Sequence, residues 1–222
     1  EVDARLRPTG TYGPLIVTRR AWLEYYEKQA DIWEIQALLR MRPVAGNADL
    51  CAWLQTEAEN ICYQPRDPAS VLPRMCHLRQ RMQRERSEER EDVIDVKLGM
   101  GGLADLEFLV QGWLLLEGYA QPLLRERSVR RALTVALERL TDLDLPLKEA
   151  QTAFETLRSL EHRVTLCSDV SVSRLKPEHF ATLKDMHLWP PLSPEMVAET
   201  WQDLLRLRRR VRALLQHWCP NL

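Results

Sequence analysis

Glycine is scarce in this 222-residue sequence, at 8 residues, while leucine, arginine, glutamate and alanine abound. That balance favours helices. No apolar run approaches the ~20 residues that a membrane helix needs. The most apolar stretch, "FLVQGWLLLEG", is broken by Gln111, Gly112 and Glu117. No membrane partner is expected, and no segment reads as a signal peptide. Neither sign of charge dominates: the net charge is −1 at pH 7. A bulk attraction to nucleic acid or to anionic lipid is therefore not indicated. The cysteines, at 51, 62, 76, 167 and 219, form no C-x-x-C pair. Neither a disulfide framework nor a zinc site is expected, and the thiols read as reduced, in the cytoplasm. The histidines, at 77, 162, 179, 187 and 217, show no metal-ligand spacing and no H-E-x-x-H. G-x-S-x-G, the P-loop and G-x-G-x-x-G are also missing, so hydrolase and Rossmann readings have no support.

What is present argues for a packed, mainly α fold. The sequence is 45% hydrophobic and 28% charged, enough to bury a core in one large domain or two small ones. It opens on "EVDARLRPTG", without an initiator methionine. Val2, Ala4 and Leu6 fall on one face of a strand; Glu1, Asp3, Arg5 and Arg7 fall on the other. Pro8 and Gly10 turn the chain, and "PLIVT" reads as a second strand. A two-stranded hairpin is marginal alone, so residues 1–18 are expected to be the remnant of a larger sheet. Helical periodicity then runs from Arg19 to about Arg42, stopped by Pro43 and Gly46. A second helix is expected over Ala48–Cys62. A third starts from an N-cap at Asp67 or Ser70 and runs through "LRQRMQRERSEERED". There Arg81–Glu85 and Arg84–Glu88 read as a solvated i,i+4 face. A β-like piece at Val93–Leu98 and a helix from about Asp105 follow. Further helices are expected near 127–140, 147–169, 177–186 and 194–218. The expected architecture is a helical bundle with an N-terminal β-hairpin, divided into 1–18, a connecting helix 19–46, and a bundle 47–222.

Three stretches carry candidate chemistry. Asp3, Arg5 and Arg7 on one strand face offer a hard oxygen ligand and two forked cations, which suit a triphosphate held on Mg²⁺. A mixed-charge exposed strand would look the same. In "DVKLGMGGLADLEFLVQ", Asp95 and Lys97 share a face if extended, and Gly101–Gly102 would admit the backbone close to an anion. Asp105 and Glu107 lie just inside a helix start. One reading makes Lys97, Asp105 and Glu107 cofactor-binding groups at a cleft edge. The other makes them a glycine turn and helix cap, with Glu107 in a structural ion pair. In "DLLRLRRRVRALLQHW", Leu204, Leu207, Val211, Leu214 or Leu215, and Trp218 form an apolar stripe. Arg206, Arg208, Arg209, Arg210 and Arg212 are read as its solvent face rather than a nucleic-acid surface.

Three blocks, in order, resemble the bifunctional glutamine synthetase adenylyltransferase/adenylyl-removing enzyme family. "EVDARLRPTGTYGPLIV" is similar to its E-x-D-x-R-L-R-P-x-G stretch and the strand after it. "WEIQALLRMRPVAGN" is similar to W-E-x-Q-A-L-x-R-x-R-x-V-A-G-D, with Asn47 in place of the acid and Ile35 where the family usually has His. "DVKLGMGGLADLEFLVQ" is similar to D-x-K-x-G-x-G-G-I-x-D-I-E-F-x-x-Q. The resemblance is good to about residue 120 and weaker beyond, as in "LRSLEHRVTL". It implies a nucleotidyltransferase domain followed by a helical bundle, ATP with Mg²⁺, and transfer of AMP to a tyrosine of glutamine synthetase. By resemblance, Asp3 is a catalytic, metal-binding carboxylate, and Arg5 and Arg7 steady phosphate charge. The family's other two metal carboxylates come from G-S-D-x-D, which occurs nowhere in this sequence. The expectation is a truncated chain, the last hairpin of the catalytic domain plus its helical domain, inactive alone. Asp105 and "FLVQGWLLLEGYAQP" are similar to the adenylylating rather than the removing module. The alternative is a non-catalytic helical module that binds glutamine synthetase or a PII-type signal protein.

Overall fold

The computed structural model describes residues 7–139, 147–166, 173–180 and 194–222. The protein is mainly helical, as the composition predicts. The helices are α1 (Arg19–Lys28), α2 (Ile32–Leu38), α3 (Ala48–Cys62), α4 (Pro68–Arg86), α5 (Leu103–Glu117), α6 (Val129–Arg139), α7 (Leu147–Leu166) and α8 (Pro194–Gln216). Strands β1 (Ile94–Asp95) and β2 (Arg174–Leu175) pair antiparallel, Ile94 opposite Leu175 and Asp95 opposite Arg174. The chain forms two compact units, Glu1–Met75 with Gln111–Ser128, and Cys76–Val110 with Val129–Leu222.

In the first unit, the single helix expected over 19–42 is two helices. Thr18 caps α1, its hydroxyl accepting from the Ala21 N–H at 3.2 Å. The chain then breaks, and Asp31 opens α2 with a capping box. Its carboxylate accepts from Ile32 N at 2.7 Å, while Glu34 accepts from Asp31 N at 2.9 Å. The D-x-x-E signature stands in the sequence, but the apolar periodicity continues across the break and hides it. Trp22 is buried and meets Trp53 edge-on. Gln36 and Gln111, both buried, share a 2.6 Å hydrogen bond.

The expected second strand of the hairpin is not formed. Residues 10–12 make a 3₁₀ turn, and Leu15 and Ile16 are exposed outside any strand. A strand needs a neighbour for its backbone groups, and none lies beside "PLIV" among the described residues. The expected first strand falls on residues 1–6, outside the described residues.

In the second unit, α6 packs on α7 and α7 on α8. Helix α7 buries Ala150, Ala153, Leu157, Leu160 and Val164, at three-to-four spacing. Upstream, Asp67 accepts from Ala69 N at 3.0 Å at the start of α4, as expected. Helix α4 ends at Arg86 rather than continuing through Asp92, and Arg90 and Val93 then close a tight turn. Arg81 pairs with Glu85 on the solvated face, but Glu88 pairs with Arg174 instead of Arg84. Of the helix expected near 177–186, residues 177–180 are helical and the rest lies outside the described residues.

The expectation of reduced thiols is overturned at one pair. Cys76 and Cys219 form a disulfide, with Cα atoms 5.5 Å apart and a sequence separation of 143. Nothing in local spacing announces a bond made by packing α4 against the segment after α8. Cys51 and Cys62 are free thiols, and Cys167 lies outside the described residues.

Candidate functional site

The stretch from Asp95 to Asp105 folds into a turn whose backbone is bonded almost residue by residue. Asp95 is buried, and its Oδ1 accepts from Lys97 N and Leu98 N, each at 2.9 Å. This is the local side-chain cap that aspartate provides at turns. Gly99 N reaches Asp95 O at 3.0 Å, Leu103 N reaches Val96 O at 2.9 Å, and Ala104 N reaches Lys97 O at 2.9 Å. Gly101 has φ +66°, and a Cβ there would stand 1.8 Å from the Arg208 carbonyl oxygen. Only glycine fits that position.

Beneath the turn lies a network of three guanidiniums and two acids. Asp105 is wholly buried; its Oδ1 meets the Arg79 guanidinium at 2.6 Å. Its Oδ2 accepts from Gly101 N at 2.8 Å and pairs with Arg212 Nε at 3.0 Å. Arg79, also wholly buried, donates through Nη2 to Leu98 O at 3.0 Å and Gly99 O at 2.8 Å. Glu89 accepts from Asp95 N at 3.1 Å and Met100 N at 3.0 Å, and pairs with Arg208. Burial lowers the Arg212 pKa from its usual range, and the Asp105 charge opposes that. Removing one member of so deeply desolvated a pair would leave the other charge buried without compensation. The network therefore clamps the turn at both carbonyl and amide groups.

The residues singled out in the sequence are placed as follows. Lys97 sits on the turn with its side chain exposed and, among the described residues, in no hydrogen bond or ion pair. Asp105 has its oxygens occupied as above. Glu107 pairs with Arg158 at 3.2 Å, which also holds Glu161 at 2.5 Å, matching the structural ion pair weighed above. Arg7 donates to Gly13 O at 3.1 and 3.3 Å, across the 3₁₀ turn. Asp3 and Arg5 lie outside the described residues. Lys97 and Asp105 are thus built into one turn, and Arg7 belongs to the first unit.

Sequence reasoning missed the cationic half of the network. Arg206, Arg209 and Arg210 do face solvent, as expected, but Arg208 and Arg212 are buried at 3% and 5% exposure. The signal was available: 204, 208, 211, 212 and 215 lie at three-to-four spacing, so both arginines fall on the apolar face. Arg79 continues the buried i,i+4 line of Val71 and Met75 in the same way.

Among the described residues, no group of three His, Cys, Asp or Glu side chains is placed to hold a metal ion. No helix among them is long and apolar enough to cross a membrane.

Comparison with known proteins gives two matching family profiles. One, described as glutamate-ammonia ligase adenylyltransferase, matches residues 1–57. The other, described as GlnD PII-uridylyltransferase, matches residues 74–219. Three curated relatives are each named bifunctional glutamine synthetase adenylyltransferase/adenylyl-removing enzyme. That of Streptomyces coelicolor is 35% identical over 183 residues, 82% of this chain and 18% of the relative. That of Chromobacterium violaceum is 34% identical over 190 residues, 85% of this chain and 21% of the relative. That of Nitrosococcus oceani is 40% identical over 126 residues, 57% of this chain and 13% of the relative. The chain spans about a fifth of the length of the first two.

Proposed function

The chain belongs to the bifunctional glutamine synthetase adenylyltransferase/adenylyl-removing enzyme family, and on that premise we propose that it serves AMP transfer from ATP to a tyrosine of glutamine synthetase. In that reaction the tyrosine oxygen bonds to the α-phosphorus, the α–β bridging P–O bond breaks, pyrophosphate leaves, and the hydroxyl proton passes to a base. The observation that carries the reading is the clamped turn in a block similar to the family's, which fixes Lys97 at an exposed position. In this reading Lys97 meets phosphate charge, while Asp105 and Glu107 support the turn and the helix after it. The assignment to the adenylylating rather than the removing module rests on the resemblance around Asp105.

ATP implies Mg²⁺. The described residues provide no carboxylate set for a two-metal centre. Asp3 is the proposed ligand from this chain, with Arg5 and Arg7 beside the phosphates; residues 1–18 are then the end of a nucleotidyltransferase domain. Two more carboxylates would have to come from outside these 222 residues, and the chain alone is proposed to be inactive. The reading puts the protein in the cytoplasm, where the Cys76–Cys219 bond would face reduction.

A second reading, a non-catalytic module binding glutamine synthetase or a PII-type protein, is favoured by the PII-uridylyltransferase profile over 74–219. One experiment separates the two. ATP labelled at the α-phosphate is incubated with Mg²⁺, glutamine synthetase, and either this chain or an extended polypeptide of the relatives' length that contains it. The first reading expects label on glutamine synthetase with the extended polypeptide alone. Label from neither, with calorimetric binding by the chain, supports the second and removes the first.

A further inference from the structure

A cleft of about 280 Å³ lies in the second unit, lined by Glu88, Arg90, Val93, Arg174, Lys176 and His179. Its lining comes from two local structures. The turn closed by Arg90 N on Val93 O at 2.9 Å supplies one side. The run through β2 supplies the other. Leu175 is fully buried, so Arg174 and Lys176, its neighbours in an extended run, project to the opposite face. The cleft thus gathers three cationic side chains against one acid.

Among the described residues, two of the three cations stand beside an acid and the third, Arg90, does not. Arg174 pairs with Glu88, and Lys176 Nζ stands 3.3 Å from Glu178 Oε1. Arg90 is exposed, and among the described residues its guanidinium has no hydrogen bond or ion pair. His179 adds a neutral donor. Its Nδ1 accepts from Lys176 N at 3.2 Å, which assigns the ring proton to Nε2. Burial lowers the pKa of that ring; Glu178 opposes the shift and Lys176 adds to it.

We propose that this cleft binds a small phosphate-bearing anion, held by Arg90, Arg174 and Lys176. The donor set is two planar forks, one ammonium and one imidazole N–H on different sides of a hollow. A phosphate, with several acceptor oxygens in a tetrahedral array, uses such a set better than a planar carboxylate does. The volume falls at the small end of small-molecule sites, roughly 300 Å³. The site is independent of the AMP-transfer reading and stands or falls without it.

The test is isothermal titration calorimetry on the 222-residue chain at constant ionic strength in chloride. The probes are inorganic phosphate, pyrophosphate and succinate. Saturable one-to-one binding of phosphate or pyrophosphate is expected, with succinate at least about tenfold weaker. Arg90→Gln and Lys176→Gln should each weaken binding about tenfold. Arg130→Gln, on α6 and outside the cleft lining, should leave it unchanged. Among the described residues Arg90 has no partner to lose, so its variant keeps the test valid even if Lys176→Gln fails to fold. No saturable heat, succinate binding as tightly, or equal weakening by Arg130→Gln would each overturn the proposal.

Discussion

Asp105 is an acid with no exposed surface and two guanidinium partners, and its cost of removal follows from that. Asp105→Ala would leave Arg79 and Arg212 buried without their counter-charge and free the Gly101 N–H. Breaking one side of such a pair costs about 3–5 kcal/mol. Urea denaturation of the variant should show a loss in that range; a loss below about 1 kcal/mol would remove the clamp. Burial also acts on two phenols of the first unit. Tyr26 and Tyr63 are pushed up to about 12, chiefly by desolvation. An unfolded chain releases those protons near pH 10. Between roughly 10 and 12 the folded state holds protons that the unfolded state has lost, so stability falls as pH rises through that window. Ultraviolet titration should show a late phenolate phase that Tyr26→Phe and Tyr63→Phe remove; a titration without the late phase would contradict the burial. At this scale the sequence was read best where spacing was local. The ion pair of Glu107 was weighed in advance. Arg208 and Arg212 lie on the buried side, because a stripe drawn through the apolar residues 204, 207, 211 and 215 alone leaves out the positions 208 and 212 that share its face.

The elements show where periodicity alone misleads. The run from Arg19 carries one apolar pattern through two helices, and the boundary is set by the Asp31–Glu34 capping box rather than by a proline or glycine. The charged tail of α4 was assigned to the helix, yet Glu88 and Glu89 are drawn off it by Arg174 and Arg208, from distant parts of the chain. No window of local sequence contains that competition. The same holds for the Cys76–Cys219 disulfide, whose partners are 143 residues apart. Closing so long a loop restricts the unfolded chain, and removing such bonds costs about 2–5 kcal/mol. Dithiothreitol should therefore lower the thermal midpoint of the chain, and Cys219→Ser should lower it equally and abolish the response to reductant. A midpoint indifferent to both would show that the bond contributes nothing.

At the scale of the molecule, a mainly helical fold was legible from composition and periodicity. The second strand expected over "PLIV" is not formed, since a strand is defined by its neighbour and "PLIV" has none among the described residues. The order of three sequence blocks pointed to the family, and the family profiles match on both sides of residue 70. The chain spans about a fifth of the length of the first two relatives. The account assigns this chain one metal carboxylate, Asp3, and one exposed phosphate contact, Lys97. The most direct measurement is AMP incorporation into glutamine synthetase by the extended polypeptide of the relatives' length that contains this chain, with Asp3→Ala beside the unaltered form. The account predicts that Asp3→Ala lowers the rate by more than about a hundredfold at unchanged circular dichroism; turnover within a few-fold of the unaltered form would contradict it.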